Sequence, residues 1–371
     1  MAGLLVGAAA CAKNNNDETT SGSNCGNEIA FFGALTGGNA QLGINIRDGA
    51  KLALDQYNKA NSSCQVKLVE KDSAGDPAQA SGLASSVVQD AKILGVVGPA
   101  FSGESKVANP ILSKQGVVIL TASATNPALA QQGDKTFHRA LGNDASQGPG
   151  AALYIKDVVK SKKTFVVDDA SEYGKGLADQ VKKVLGSVVV KSAVVKEKQV
   201  DFGSLVNDIK ASGADTVFWG GYYREAAPFM KQFRDNGGKA TFVAGDGVKD
   251  DAFVKGAGEK EAEGAILTCP CVPPEKLQGT FAADYKAATG RDPGTYSAEA
   301  FDAANILLSG IKAGNTTREK LNTYVNNYTG KGITTTFKFQ SDGDLDPSAV
   351  AVWAYKVQGG KIIADQLAPK P

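Results

Sequence analysis

A pair of doubly wound α/β lobes, each a parallel sheet covered by helices, is the fold this sequence predicts, on three observations. The chain is 371 residues long, roughly twice what one compact domain needs. Strand-like and helix-like runs alternate, separated by short loops rich in Gly, Pro, Asp and Ser, the order that gives a parallel sheet buried on both faces. The alternation runs twice, from residue 27 and again from near Ala145, without a fixed period of the roughly 20–50 residues that marks a solenoid.

In the first series, Ile29–Ala34 is an apolar strand. Ile46, Ala50, Ala53 and Tyr57 then recur on one helix face. Val66–Val69 is a strand, and Asp76-Pro77 starts a helix over Ala78–Asp90. Ile93–Val97 and Val117–Leu120 are buried-strand runs with a helix between them. In the second series, Thr164–Val167 is a strand and Leu177, Val181 and Val184 mark a helix stripe. Phe202, Leu205, Val206 and Ile209 mark the next helix, and Thr216–Trp219, Thr241–Ala244 and Ala265–Leu267 are strands. Helices follow over 275–289, 297–313 and 316–327, then late strands at 333–339 and 349–356. Ligands in such sheets sit beyond the strand C-terminal ends.

Composition narrows the chemistry. Forty Lys and Arg stand against 39 Asp and Glu, so no basic face is offered to nucleic acid. His138 is the one histidine, without a His/Cys cluster around it, which argues against a metal site and leaves hydrolysis a single candidate base. His138 itself lies in the strand-like run Thr136–Arg139 and reads as structural. Gly133-Asp134-Lys135-Thr136 lacks the earlier glycine of a P-loop, and Gly256-Ala257-Gly258 follows no strand, so neither nucleotide nor dinucleotide cofactor is expected. Asp342 to Asp346 lacks the distal Glu of a calcium loop and reads as a hairpin turn.

At the N-terminus, small and apolar residues 1–10 run straight into Cys11, and residues 1–11 resemble the remnant of a lipoprotein signal with Cys11 as the lipidated residue. The segment is shorter than the roughly 20 residues that span a bilayer. Residues 12–26 are polar and low in complexity, a disordered tether. With Cys11 so used, four cysteines remain, an even number for an oxidising compartment. Cys25 precedes the first strand and Cys64 the second, which predicts a Cys25–Cys64 bridge if those strands pair. Cys269-Pro-Cys271 is left open between a tight bridge and free thiols.

Five strand ends carry distinctive groups. Gly98 to Ser105 and Thr121 to Pro127 put hydroxyls and free backbone N–H groups where a helix begins, a setting for an anion. Ser102 alone would read as a helix N-cap. In the second series, Asp168 to Gly174, Gly220 to Tyr223 and Gly245-Asp246-Gly247 bring one glycine-flanked acid and two tyrosines, Tyr173 and Tyr222. Singly, Asp246 reads as a turn aspartate and the tyrosines as packing. Jointly, an anion site on one lobe facing an acid with aromatics on the other suits a zwitterion.

At these loops the chain resembles the leucine/isoleucine/valine-binding family of ABC-transporter substrate-binding proteins, with the type I periplasmic-binding fold. The resemblance runs from about 27 to 360 through FFGALTGGNAQLGINIRDGAKLALDQYN, DPAQA, VVGPAFSGES, ILTASATNPAL, GNDASQGPGAA, EYGKGLA, DFGSLVNDIKASGADTVFWGGYYREAA and VAGDG. It implies two lobes joined by a three-strand hinge, one of 27–144 with 272–333, the other of 145–271 with 334–371. It implies that Ser102 and Thr125, with backbone amides such as that of Ala124, hold an amino acid's carboxylate. Ser123 would present its carbonyl, and Asp246 its carboxylate, to the ammonium. Tyr173 would close over the ligand, and Tyr222, Tyr296 and Leu42 would line the side-chain pocket. Asp246 stands where the family often has the longer Glu. Tyr296 falls where branched-chain binders carry an aromatic without a hydroxyl. The implied protein is an extracytoplasmic monomer held by its lipid at the outer face of the cytoplasmic membrane. It would deliver an amino acid, branched-chain foremost, to the membrane permease of an ABC importer, without cofactor, metal or catalysis. The rival is a same-fold receptor for urea or short amides, or a ligand sensor. An unpaired Asp246 opposes a neutral ligand. A hydrolase built on Ser102 would need a base, and no His stands at a lobe-facing strand end.

Overall fold

The computed structural model describes residues 25–370, so Cys11 and most of the expected tether lie outside the described residues. The first sheet is built from β1 (Glu28–Gly33), β2 (Lys67–Asp72), β3 (Ile93–Val97), β4 (Val118–Thr121) and β5 (Phe137–Arg139), all parallel, in the order β2-β1-β3-β4-β5. Helices α1 (Ala40–Ala60), α2 (Pro77–Gln89) and α3 (Ser102–Lys114) connect its strands. The runs EIAFFG, ILGVV and VILT are buried along their whole length, as strands covered on both faces require.

Helix α4 (Asp144–Leu153) opens the second lobe, followed by β6 (Thr164–Asp168), α5 (Glu172–Leu185), β7 (Val189–Val194), α6 (Gly203–Ser212) and β8 (Thr216–Gly220). Then come α7 (Tyr223–Asp235), β9 (Thr241–Ala244), α8 (Asp251–Ala257), α9 (Glu259–Ala262) and β10 (Ile266–Cys269). The chain returns to the first lobe with α10 (Phe281–Thr289), α11 (Ser297–Lys312) and α12 (Arg318–Asn326), and a hairpin of β11 (Thr329–Lys331) and β12 (Thr336–Lys338). It ends in the second sheet with β13 (Trp353–Gln358) and β14 (Lys361–Leu367). That sheet has the order β14-β13-β10-β9-β8-β6-β7, with β13 and β14 antiparallel to their neighbours. Its core centres on Trp219, stacked on Phe229 at 4.9 Å between ring centroids.

Several details differ from the sequence reading. The helix expected over 275–289 is a short 3₁₀ turn at Pro274–Lys276 and then α10, broken around Gly279, which takes φ +77°. Strands β7 and β14 were not anticipated. The boundary at 334 also shifts: the Arg139 N–H donates to the Gly343 carbonyl at 2.9 Å and its Nε pairs with Asp344 at 2.7 Å. Phe339, Gly343 and Asp344 thus lie against β5 of the first sheet. Three passages connect the lobes, between β5 and α4, after β10, and between Leu345 and β13.

Both cysteine pairs are bridged, Cys25–Cys64 and Cys269–Cys271. The first fits the parallel pairing of β1 with β2, which brings Asn27 and Lys67 together. His138 is buried, with Nε2 at 2.7 Å from Asn326 Oδ1 and a ring contact to Phe339, a structural setting. The Cys25–Cys64 bridge spans 39 residues, for which chain-entropy arguments give about 4 kcal/mol of stabilisation. The double variant Cys25→Ala/Cys64→Ala should therefore unfold at lower denaturant concentration by roughly that free energy, measured by circular dichroism. An unchanged midpoint would show that the bridge constrains little.

Candidate functional site

The C-terminal ends of both sheets face one another, and their loops enclose a cavity. In the first lobe, the loop after β3 runs Gly98 to Phe101 into α3, and the loop after β4 runs from Thr121 to Asn126. Thr121 Oγ1 donates to the Pro99 carbonyl at 2.8 Å and Ser123 Oγ to the Ala100 carbonyl at 2.6 Å, which stitches the two loops together. Phe101, not Ser102, occupies the cap position of α3, and its N–H is taken by Glu104 Oε2 at 3.4 Å. Ser102 is therefore the first helical residue. Its Oγ accepts the Asn126 N–H at 3.3 Å and keeps its own proton to donate.

The second lobe supplies the acid and its aromatic frame. Tyr173 OH donates to Asp246 Oδ1 at 2.8 Å and accepts the Gly247 N–H at 3.0 Å. Tyr296 OH reaches over from the first lobe to Asp246 Oδ2 at 2.5 Å. A Cβ on Gly245 would stand 2.5 Å from the Tyr173 hydroxyl, and one on Gly247 would stand 2.7 Å from its ring. The glycines beside Asp246 are thus what lets tyrosine pack onto it. Tyr222 leans on Tyr173 at 5.0 Å between centroids and meets Phe101 edge-on at 5.3 Å, one aromatic contact within the second lobe and one across the cleft. Its N–H is held by Asp169 Oδ2 at 3.3 Å, while Asp169 Oδ1 accepts from Ser171.

The cavity contains about 280 Å³ of space free of atoms, open solvent at its mouth included. Of the residues expected from sequence, Leu42, Ser102, Ser123, Tyr173, Tyr222, Asp246 and Tyr296 line it together. Ala124 and Thr125 do not. The Ala124 N–H turns to Thr121 Oγ1 at 3.1 Å, and Thr125 Oγ1 donates to Asp144 Oδ2 at 3.1 Å. Sequence reasoning missed Ile46, Ala100, Phe101 and Gly247 as lining residues. Ile46 could have been found, since it follows Leu42 by four residues on α1, and such a pair shares one helix face. Asp144 and Gln147 lie in the stretch GNDASQGPGAA, which carries the resemblance without giving either residue a role.

Burial governs the electrostatics. It pushes the Asp246 carboxyl up, against the lowering effect of the Tyr296 and Tyr173 hydroxyls and Gln147. Burial and then the charge of Asp246 push Asp144 well above the usual range, opposed by Thr125 and Arg139. The same two causes hold the Tyr173 and Tyr296 hydroxyls well above their usual value, so both stay donors. Glu104, wholly buried, is pushed up to about 8, chiefly by desolvation and despite a hydrogen bond from Ser73. Asp169 is raised to about 6, again by burial first. Among the described residues, no group of three or more His, Cys, Asp or Glu is placed to hold a metal, and no helix is long and apolar enough to cross a membrane. Asp344 of the Asp342–Asp346 turn is engaged by Arg139 and Asn143.

Comparison with known proteins adds family and fold. A family model described as periplasmic binding protein matches residues 28–361. The leucine-, isoleucine-, valine-, threonine- and alanine-binding protein of Pseudomonas aeruginosa is 33% identical over 325 residues, 86% of this chain and 87% of that protein. A Leu/Ile/Val-binding protein of Rhizobium johnstonii is 31% identical over 344 residues, covering 91% of this chain and 93% of its own. Among solved structures, a branched-chain amino acid transporter substrate binding protein of Streptococcus pneumoniae in complex with isoleucine superposes with a TM-score of 0.86 at 25% identity, covering 93% of this chain and 99% of that one. A leucine binding protein of Thermotoga maritima superposes at 0.84 with 24% identity, covering 92% and 98%, a likeness of fold.

A carboxyl raised on folding favours the folded state below the ordinary carboxylate range, and that contribution is lost as pH rises through the raised value. For Glu104 the loss falls between about pH 5 and 8. The ligand-free protein should melt at progressively lower temperature from pH 5 to pH 9, and Glu104→Gln should flatten that decline. Parallel melting curves for the two proteins across this range would show that Glu104 is not responsible.

Proposed function

We propose, from the premise that this chain belongs to the periplasmic binding protein family, that it captures a free amino acid outside the cytoplasm and delivers it to the membrane permease of an ABC importer. It is a solute-binding receptor and not an enzyme. The observation that carries the amino-acid reading is the placement of Ser102 and Asp246 on opposite lobes of one cavity. Ser102 and the N–H groups at the start of α3 suit a carboxylate. Asp246, raised by burial and held by two phenols, suits an ammonium.

Branched aliphatic side chains fit this pocket best. Leu42, Ile46 and Phe101 form an apolar wall, and the hydroxyl of Tyr296 is turned to Asp246 rather than offered to a side chain. A receptor for urea or short amides would leave Asp246 buried without a cation, a costly state. Capture proceeds by closure of two lobes, 27–144 with 272–345 and 145–271 with 346–370. The closed form is held by Asn126 Nδ2 on the Glu172 carbonyl at 2.6 Å and by Tyr296 on Asp246. A ligand touching both lobes binds the closed form more tightly and shifts the population towards it. The Cys25–Cys64 and Cys269–Cys271 bridges suit an oxidising, extracytoplasmic compartment. We place Cys11 as the site of a lipid anchor to the outer face of the cytoplasmic membrane and take the receptor to be a monomer.

Thermal unfolding of protein freed of carried-over ligand, against the twenty amino acids, urea and short amides, tests this reading. Ligand at 1,000 times its Kd should add about 4 kcal/mol, and the expected shifts are with Leu, Ile and Val. Shifts with urea or amides alone would overturn it. Asp246→Asn should weaken amino-acid binding by about 2 kcal/mol or more, the loss typical of a truncated buried charge pair. Unchanged calorimetric affinity in that variant would remove Asp246 from the site.

A further inference from the structure

Within residues 246–250 the second lobe meets the first at three points. Asp246 takes the Tyr296 hydroxyl at 2.5 Å. Lys249 accepts the Thr295 hydroxyl on its carbonyl and directs its ammonium to the same Oγ1 at 3.3 Å. Asp250 Oδ2 accepts from Asn45 Nδ2 at 3.1 Å. All three partners belong to the first lobe, Asn45 on α1 and Thr295 and Tyr296 just before α11. They form one surface, since a Cβ on Gly294 would stand 2.2 Å from Asn45 Nδ2. Asp246 and Tyr296 line the cavity, whereas Asn45, Lys249, Asp250 and Thr295 do not.

Asn45 is prepared for its contact from its own side. Its Oδ1 accepts from Gln41 Nε2 at 2.8 Å and from Arg291 Nη1 at 3.3 Å, which leaves Nδ2 to face the other lobe. Arg291 is in turn held by Asp48 at 2.5 Å. Asp250 is divided in the same way. Its Oδ1 caps α8 by accepting the Ala252 N–H at 2.9 Å, and its Oδ2 is given to Asn45. Both side chains are buried, at 2% and 5% exposure. A hydrogen bond to a buried carboxylate is among the stronger ones, and removing its donor leaves a desolvated charge underserved. When the lobes part, both groups return to water, so this bond favours the closed form alone.

We propose that Asn45 is a positioning residue for capture: it grips Asp250 across the shut cleft and so sets how long a bound amino acid is retained, without touching it. Thr295 acts on Lys249 in the same sense. Two tasks are thereby separated. The residues lining the cavity select the ligand, while the Asn45–Asp250 pair raises the closed population by the same factor for every ligand that both lobes enclose. The inference rests on the amino-acid reading of the cavity and on closure of the two lobes, and extends them to residues outside the cavity.

Calorimetry with L-leucine, L-isoleucine and L-valine, together with release of tritiated leucine chased by unlabelled leucine, tests the proposal. Asn45→Asp sets two carboxylates face to face, and Asp250→Asn two amide donors. Each should weaken binding of all three amino acids by about tenfold or more, with the loss in the release rate and the order of preference unchanged. Asp250→Asn keeps the cap of α8, because asparagine caps as well as aspartate does. The double variant Asn45→Asp/Asp250→Asn exchanges the two groups, so that position 250 donates and position 45 accepts, still receiving Gln41 and Arg291. It should bring affinity and release rate back to within about threefold of the unaltered protein, a rescue that damage to the fold could not give. Thr295→Val, which removes both hydrogen bonds to Lys249, should also speed release. Unchanged affinity in both single variants would overturn the proposal, and so would a double variant as weak as the two losses combined. A changed order among the three amino acids overturns it too, because Asn45 would then take part in selection. If Asn45→Asp does not fold, Asp250→Asn and Thr295→Val decide, and release at the unaltered rate in both overturns the proposal. An unaltered protein that binds none of the three amino acids overturns the amino-acid reading and this inference with it, whereas normal binding that the variants leave untouched overturns this inference alone.

Discussion

A carboxylate withdrawn from water has to be met by donors, and the arrangement of the cleft follows from meeting that need at Asp246. Removing such an ion from water costs several kcal/mol unless geometry compensates. Two phenol hydroxyls supply the compensation, one from α5 and one from the residue before α11, on opposite lobes. Because one donor belongs to each lobe, satisfying Asp246 and closing the cleft are the same event. The flanking glycines belong to this requirement too, since side chains there would push Tyr173 off the acid.

The position of Tyr296 is held from outside the site. Its backbone sits at φ +69°, in the left-handed region, which costs a side-chain-bearing residue about 1–2 kcal/mol. Such a conformation persists only where the surroundings fix it. Here α11 begins at the next residue and packs along α1, and the approach is so close that a Cβ on Gly49 would stand 1.9 Å from the Ser297 carbonyl. A glycine in the middle of α1 thus sets where the Tyr296 hydroxyl stands.

Much of this was legible in the sequence, and the parts that were not share physical reasons. Buried parallel strands such as ILGVV announce themselves by unbroken apolar runs. Strands β7 and β14 are the outermost strands of their sheet and are largely exposed, so neither apolar run nor clean alternation marks them. The run 333–339 reads as strand whichever sheet it joins, so sequence does not say to which lobe the turn at Asp342–Asp346 belongs. At the site, residue types and loop positions were readable, and Ser102, Tyr173 and Asp246 line one cavity. The direction of a side chain was not: Thr125 carries the expected hydroxyl but aims it at Asp144.

The interleaving of the lobes also dictates an order of completion during synthesis. A chain emerging from its N-terminus has all five strands of the first sheet by Arg139. The helices α11 and α12 that cover part of that sheet come only after residue 297, when most of the second lobe has already been made. Arg318, which grips the carbonyls of Val88, Asp90 and Ile93 at 3.2, 2.8 and 3.0 Å, arrives later still. The nascent first lobe therefore waits with an apolar face uncovered while the roughly 160 residues between Arg139 and α11 are made. The second lobe in turn lacks β13 and β14 until residues 353–367 have been made.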